Sequence, residues 1–257
     1  MKSLQHNAVC ITGASAGIGA ACAEEFAKQG CNLVLLARRQ ERLQSLALSL
    51  RSAYNIKTFT AELDVRHQHA VDRVFSSLPD EWKEIDILVN NAGLARGLAK
   101  VYDGNPADWD EMIDTNVKGL LYVTRAVLPT MVQRNRGHII NIGSIAGHQT
   151  YPMGNVYCAT KFAVVGITRS LKMELVGTAV RVSSVDPGLV ETEFSQVRYR
   201  GDTARAAKTY EGMTPLTAHD VAEAVVFCAT RPQHVNIQEL TITPTDQATV
   251  TMVHRRS

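Results

Sequence analysis

Short apolar runs alternate with longer stretches that repeat apolar side chains every three or four positions, and this pattern extends along nearly the whole chain. No other feature constrains the fold as much. A strand that is continuously apolar must be covered on both faces, which happens where helices cross over a parallel sheet. Runs at 8–11, 32–36, 85–89, 138–142 and 180–185 read as strands, with a weaker one at 58–62 and a closing one at 239–242. Helical periodicity occupies 17–29, 41–52, 70–78, 108–133, 156–175 and 218–230. The expected architecture is α/β: a doubly wound parallel sheet of about seven strands with helices on both faces.

No repeat, linker or low-complexity segment interrupts the pattern, so residues 1–257 are expected to form a single domain. The composition, 45% hydrophobic and 20% charged, is that of an ordinary globular chain. Twenty-seven basic and 25 acidic residues leave a net charge of +2 with no long run of one sign. That balance argues against a nucleic-acid or membrane partner and leaves a small-molecule substrate. No apolar run reaches transmembrane length and no secretory pattern is visible, so a cytoplasmic location is expected. Five scattered cysteines without a C-x-x-C pair read as free, buried thiols, of which only Cys158, beside Tyr157, invites a chemical question. The least regular stretch, 189–215, with Gly201 and Gly212 as hinges, is a candidate cover for a site. Beyond Pro244 the chain reads equally as an assembly element or a loose tail.

Thr12-Gly13-Ala14-Ser15-Ala16-Gly17-Ile18-Gly19 follows the first apolar run and opens the first helix. In that context glycines permit a tight turn and close approach to a phosphate, and unpaired helix amides present positive charge to it. The spacing is G-x-x-x-G-x-G, and a turn without a ligand is the plain alternative. A dinucleotide site carries an acidic residue at the end of the second strand when it grips a free ribose diol. Arg38 and Arg39 stand there instead, and guanidinium groups suit a 2′-phosphate. The expected cofactor is NADP.

Ser144 follows a strand, and Tyr157 and Lys161 lie four apart on one predicted helix, which stacks them on one face. A phenol becomes a better acid/base at neutral pH if a cation favours its anion, and Lys161 is expected to be that cation. Ser144 would bond the substrate oxygen. His148 reads as a satisfied loop histidine, and His67 with His69 lack further ligands, so no metal is expected. Gly143-Ser144-Ile145-Ala146-Gly147 does not match the G-x-S-x-G nucleophile elbow.

Together with Leu63-Asp64-Val65, Asn90-Asn91-Ala92-Gly93, Asn116 and Pro187-Gly188 followed by Thr192, these motifs resemble the short-chain dehydrogenase/reductase family over almost the full length. The resemblance implies a Rossmann-like fold, a catalytic set of Asn116, Ser144, Tyr157 and Lys161, and a homotetramer built on the long helices. It implies that Asp64 and Val65 contact the adenine and that Asn91, Ala92 and Gly93 line the ribose edge. Lys161 would also bind the nicotinamide ribose, and Pro187, Gly188, Val190 and Thr192 would close over the nicotinamide.

Gly154-Asn155-Val156-Tyr157, Asp186 to Ser195 and Arg198 to Asp202 resemble, within that family, the NADP-dependent 3-hydroxy acid dehydrogenases acting on serine, allo-threonine or 3-hydroxypropanoate. Met153 departs from the smaller residue common there, which bears on the pocket's shape. Arg198 and Arg200, in the covering stretch, are candidates to bind a substrate carboxylate, alongside Ser144 and Tyr157 at its oxygen. A broader carbonyl or 3-oxoacyl reductase is the enzyme alternative, and an NADP-sensing binding protein the non-enzymatic one.

Overall fold

The computed structural model describes residues 3–256. Four fully or almost fully buried strands form the middle of the sheet: β1 (Ala8–Thr12), β4 (Ile87–Asn90), β5 (Gly137–Ile142) and β6 (Val180–Pro187). Beyond β1 lie β2 (Asn32–Ala37) and the partly exposed β3 (Thr58–Glu62), and beyond β6 lies β7 (Glu239–Ile242). All seven pair in parallel, in the order β3-β2-β1-β4-β5-β6-β7. The chain winds outward from β1 to β3 and then returns past β1 to β4. That reversal opens a crevice at the carboxyl ends of β1 and β4, where α/β sheets bind ligands.

Helices α1 (Gly17–Lys28), α2 (Gln40–Tyr54) and α9 (Ala218–Ala229) cover one face, burying Phe26, Leu43 and Val225 in one core. On the other face α3 (Gln68–Ser76), α5 (Leu120–Gln133) and α6 (Asn155–Glu174) bury Val71, Met131 and Leu171. The sheet is therefore sealed on both sides, as its apolar strands require. No helix among the described residues is long and apolar enough to cross a membrane.

Three boundaries differ from the periodicity. The apolar run at 85–89 enters the sheet late: Ile85 packs in the core before the strand, while the polar Asn90 belongs to it. Asn90 is accommodated because its Nδ2 donates to Asn141 Oδ1 and Thr124 Oγ1, each at 2.9 Å. The expected helix over 108–133 is two helices, α4 (Pro106–Ile113) and α5, joined by a π-turn at Asp114–Gly119. Asn105 starts α4 by accepting the Ala107 amide at 3.0 Å. Finally, 189–215 contains two short helices, α7 (Phe194–Arg198) and α8 (Thr203–Lys208).

The stretch after Pro244 folds back across that segment. Gln247 Oε1 accepts the Leu189 amide at 2.8 Å, and the Arg256 amide donates to Gly212 O at 2.6 Å. All five cysteines are free and buried. Burial pushes the Cys158 thiol up, and Cys158 stays outside the cavity described next.

Candidate active site

The loops leaving β1, β4, β5 and β6 enclose a cavity of about 450 Å³. Gly13 there has φ +67°, and a Cβ would stand 2.9 Å from Asn91 Nδ2, which itself donates to Thr12 O at 2.9 Å. Only glycine meets both demands. The α1 N-terminus has no side-chain cap and no acidic residue in its first turn. Its leading amides are thus free of an internal anion, as a phosphate-binding turn requires. Ser15, Ala16, Gly17 and Ile18 line the cavity beside Gly13. Ala14 and Gly19 sit behind it, Ala14 donating its amide to Leu36 O at 3.2 Å and Gly19 packing against Gly13 O, where a Cβ would collide.

Arg38 and Arg39 leave β2 at the same edge and also line the cavity. Arg39 bonds Ser15 Oγ at 3.2 Å and pairs with Glu193 at 2.8 Å, and Arg42 takes the other Glu193 oxygen at 2.6 Å. The Arg38 guanidinium makes no hydrogen bond or ion pair with a described residue and acts on Asp64 and Glu111 through its charge alone. Asp64, Val65, Asn91, Ala92 and Gly93 complete this half, and Pro187, Gly188, Val190 and Thr192 the other. Burial raises the Asp64 carboxyl, but hydrogen bonds and charge from Arg66, at 2.6 Å, outweigh it and hold it low. An uncapped helix end, a glycine cradle and a free guanidinium form a donor set that suits a dinucleotide bearing an additional phosphate.

Ser144, Tyr157 and Lys161 converge at the inner end. Ser144 Oγ accepts the Ala146 amide at 3.1 Å and donates to Pro187 O at 3.4 Å, and Ser144 pulls the Tyr157 phenol toward its anion. Lys161 Nζ donates to Ile142 O at 2.9 Å and stands 6.0 Å from the Tyr157 ring centre. Burial, helped by Tyr151, pushes the Tyr157 phenol well above its ordinary value, against the pull of Ser144 and Arg198. Burial also pushes Lys161 down to about 8, while Asp186 resists the fall. Desolvation is the largest cause of the phenol's shift, and two cations stand near the ring, Lys161 and, 5.6 Å from its centre, Arg198. Tyr157 at neutral pH is therefore a phenol holding its proton.

Asn116 lies outside the cavity wall and is almost wholly buried. Its Oδ1 accepts the Leu94 amide at 2.9 Å, and its Nδ2 donates to Leu94 O at 2.8 Å and Thr160 Oγ1 at 3.0 Å. The π-turn holds it in that position, next to Gly93 and Lys161.

The two candidate arginines part company. Arg198 lines the cavity, donates to Tyr151 Oη at 2.8 Å and lies 5.6 Å from the Tyr157 ring centre. Arg200 pairs with Asp108 outside it. Met153, at φ +64°, faces a separate cavity of about 30 Å³ and does not narrow the main one. Tyr151 was not legible as a site residue. Gly154 offers a signal, since a Cβ there would collide with the Tyr151 ring.

Residues 7–202 match the family model described as short chain dehydrogenase, and the chain belongs to that family. The NADP-dependent 3-hydroxy acid dehydrogenase YdfG of Salmonella typhi is 51% identical over 249 residues, 96% of this chain and 99% of that protein. Sulfoacetaldehyde reductase 2 of Chromohalobacter salexigens is 47% identical over 241 residues, covering 93% and 95% of the two chains. The closed form of serine dehydrogenase complexed with NADP+ superposes with a TM-score of 0.90 at 49% identity, covering 97% of this chain and all of that one.

Proposed function

We propose that this protein is an NADP-dependent oxidoreductase that interconverts small 3-hydroxy acids and 3-oxo acids. The observation that carries the reading is one cavity holding Ser144, Tyr157 and Lys161 at its inner end, with Arg198 over Tyr157 and Arg38 free at its outer end. Similarity to NADP-dependent 3-hydroxy acid dehydrogenases and to serine dehydrogenase supports the same cofactor and substrate class.

The dinucleotide, when bound, supplies or accepts the hydride. Gly13, Gly17 and the α1 amides receive its pyrophosphate, Arg38 and Arg39 its 2′-phosphate, and Asp64 and Val65 its adenine. In reduction Tyr157 donates its proton to the substrate oxygen, which Ser144 also bonds. Tyr157 holds its proton at neutral pH, as an acid must, while the neighbouring Lys161 and Arg198 cations favour the anion that the oxidation direction needs. Lys161 supplies the neighbouring positive charge and a ribose contact, and Asn116 braces the wall behind them. Arg198, steadied by Tyr151, receives the substrate carboxylate. The segment 189–215 covers the substrate.

The likeness to a sulfoacetaldehyde reductase favours a broader second reading, in which the anionic group can also be a sulfonate. The test follows NADPH absorbance with serine, allo-threonine or 3-hydroxypropanoate and NADP, then NAD, and with sulfoacetaldehyde and NADPH. Turnover of the acids with NADP alone is expected, falling by a factor of about 10² to 10⁴ in Tyr157→Phe. Activity confined to neutral ketones overturns the acid reading. The protein is further proposed to act in the cytoplasm as a homotetramer. Exposed Leu121 and Val132 on α5 and Phe162 and Met173 on α6 supply apolar faces for that assembly, and its mass in solution checks it.

A further inference from the structure

Asp186, near the end of β6, is completely buried, yet the proposed chemistry assigns it no task. Its Oδ1 accepts from Ser184 Oγ at 2.5 Å, and its Oδ2 lies 2.9 Å from His148 Nε2. The carboxylate rests on Gly143, where a Cβ would collide with Oδ1. Gly143 joins Ile142, whose carbonyl takes the Lys161 ammonium, to Ser144. One buried anion is thus packed against the short peptide that ties the lysine to the serine. A carboxylate without charge-bearing work is costly at such a place.

We propose that Asp186, held by His148 and Ser184, is a positioning residue that keeps the buried Lys161 ammonium charged in the working pH range. The inference rests on the dehydrogenase reading of this site. Its electrostatic basis is that Lys161 has no carboxylate partner in direct contact among the described residues and donates to a carbonyl, so the field of Asp186 opposes its desolvation. Other charged groups around α6 are committed elsewhere. Arg169 pairs with Glu239 at 2.6 Å, Lys118 with Asp114 at 2.8 Å, Glu111 with Arg96 at 2.5 Å, and Asp108 with Arg200. Tyr157, on Lys161's own helix, is neutral, and Arg198 across the cavity is a cation bonded to Tyr151, which leaves Asp186 as the anion, with His148 beside it. His148 is partly exposed and opens the pair to solvent. A second positive charge at that position would draw on the same carboxylate.

The test reads Lys161 directly, by ¹³Cε-lysine NMR of the protein across pH 6 to 11, with Lys161→Met assigning the resonance. A midpoint near 8 is expected in the wild type, at least one pH unit lower in Asp186→Asn. His148→Lys removes no buried group and sets a fixed cation against the carboxylate, so it should move the midpoint the same way. In turnover, the alkaline fall of kcat should shift downward by the same amount, costing the variant about tenfold against the wild type at pH 9 but only about twofold at pH 7. An unmoved midpoint in either variant overturns the proposal. Asp186→Asn with kcat lowered equally at every pH does so too, because that marks a merely structural role. Absence of wild-type turnover counts against the dehydrogenase reading instead, and the lysine titration still decides the role of Asp186.

Discussion

Lys161 sits in the site at a cost. Its folded pKa of about 8 lies below the ordinary value, so between the two the unfolded chain holds a proton that the native chain has released. Stability from this group therefore rises with pH over that window, and the full penalty applies below it. The difference from the ordinary value of about 10.4 corresponds to about 3 kcal/mol. Urea denaturation of wild type and Lys161→Met should show their stability difference moving by that amount between pH 7 and 10.5, in the wild type's favour at the alkaline end. A difference independent of pH would contradict the depressed lysine. Arg198 and Arg200 make a sharper contrast, two positions apart. Arg198 is the last residue of α7 and turns into the cavity, whereas Arg200, at φ +53°, is sent outward to Asp108. Arg198→Met is expected to raise KM for the acid about 10- to 100-fold, the worth of a charge-assisted hydrogen bond. Arg200→Met should leave KM within about twofold.

The π-turn between α4 and α5 shows how an element is shaped by what it must hold. One extra residue in the turn swings Asn116 against Leu94, whose amide and carbonyl it satisfies together. Asn116→Ala strands both groups in the interior, for an expected loss of about 3 kcal/mol in thermal or urea unfolding, alongside lower turnover. Unchanged stability would mean the bracing is dispensable. This turn was not legible in advance because 108–133 keeps a helical apolar period through it, while the residues that favour the wider turn are Leu94, Thr160 and Val65, distant in sequence. The central strands were legible because being buried on both faces demands uninterrupted apolar runs, and β4 slipped at both ends, starting at Ile87 and running on to Asn90, which finds polar partners across the sheet. In the site, the glycine turn, Ser144, Tyr157 and Lys161 could be read from local spacing. Tyr151 and Asp186 could not, since Tyr151 meets Arg198 from a distant loop and Asp186 meets His148 from the end of β6, contacts that only the folded sheet brings together.

Across the protein, the half of the cavity proposed for the cofactor is built on strand ends, and the half proposed for the substrate is lined in part by 189–215, which has little sheet of its own. What anchors that cover is the chain's last stretch: Gln247 holds Leu189, Arg256 holds Gly212, and Arg256 is pinned by Asp246 at 2.9 Å. Arg96 fastens the opposite side, donating to Val197 O at 2.7 Å while paired with Glu111. The cover also meets the glycine turn, Thr192 packing on Gly17 and Glu193 pairing with Arg39, but the ties that the last stretch supplies, at Leu189 and Gly212, lie apart from that turn and can loosen without disturbing it. Shortening the chain after Pro244 should therefore speed amide hydrogen exchange across 189–215 and raise KM for the acid about tenfold, with NADP affinity changed by less than about twofold. If exchange stays slow there, Arg96 and Glu111 alone suffice to hold the cover. If NADP affinity falls as far as KM rises, the two halves of the cavity close as one unit, and the division between a rigid cofactor floor and a separately fastened substrate cover is wrong.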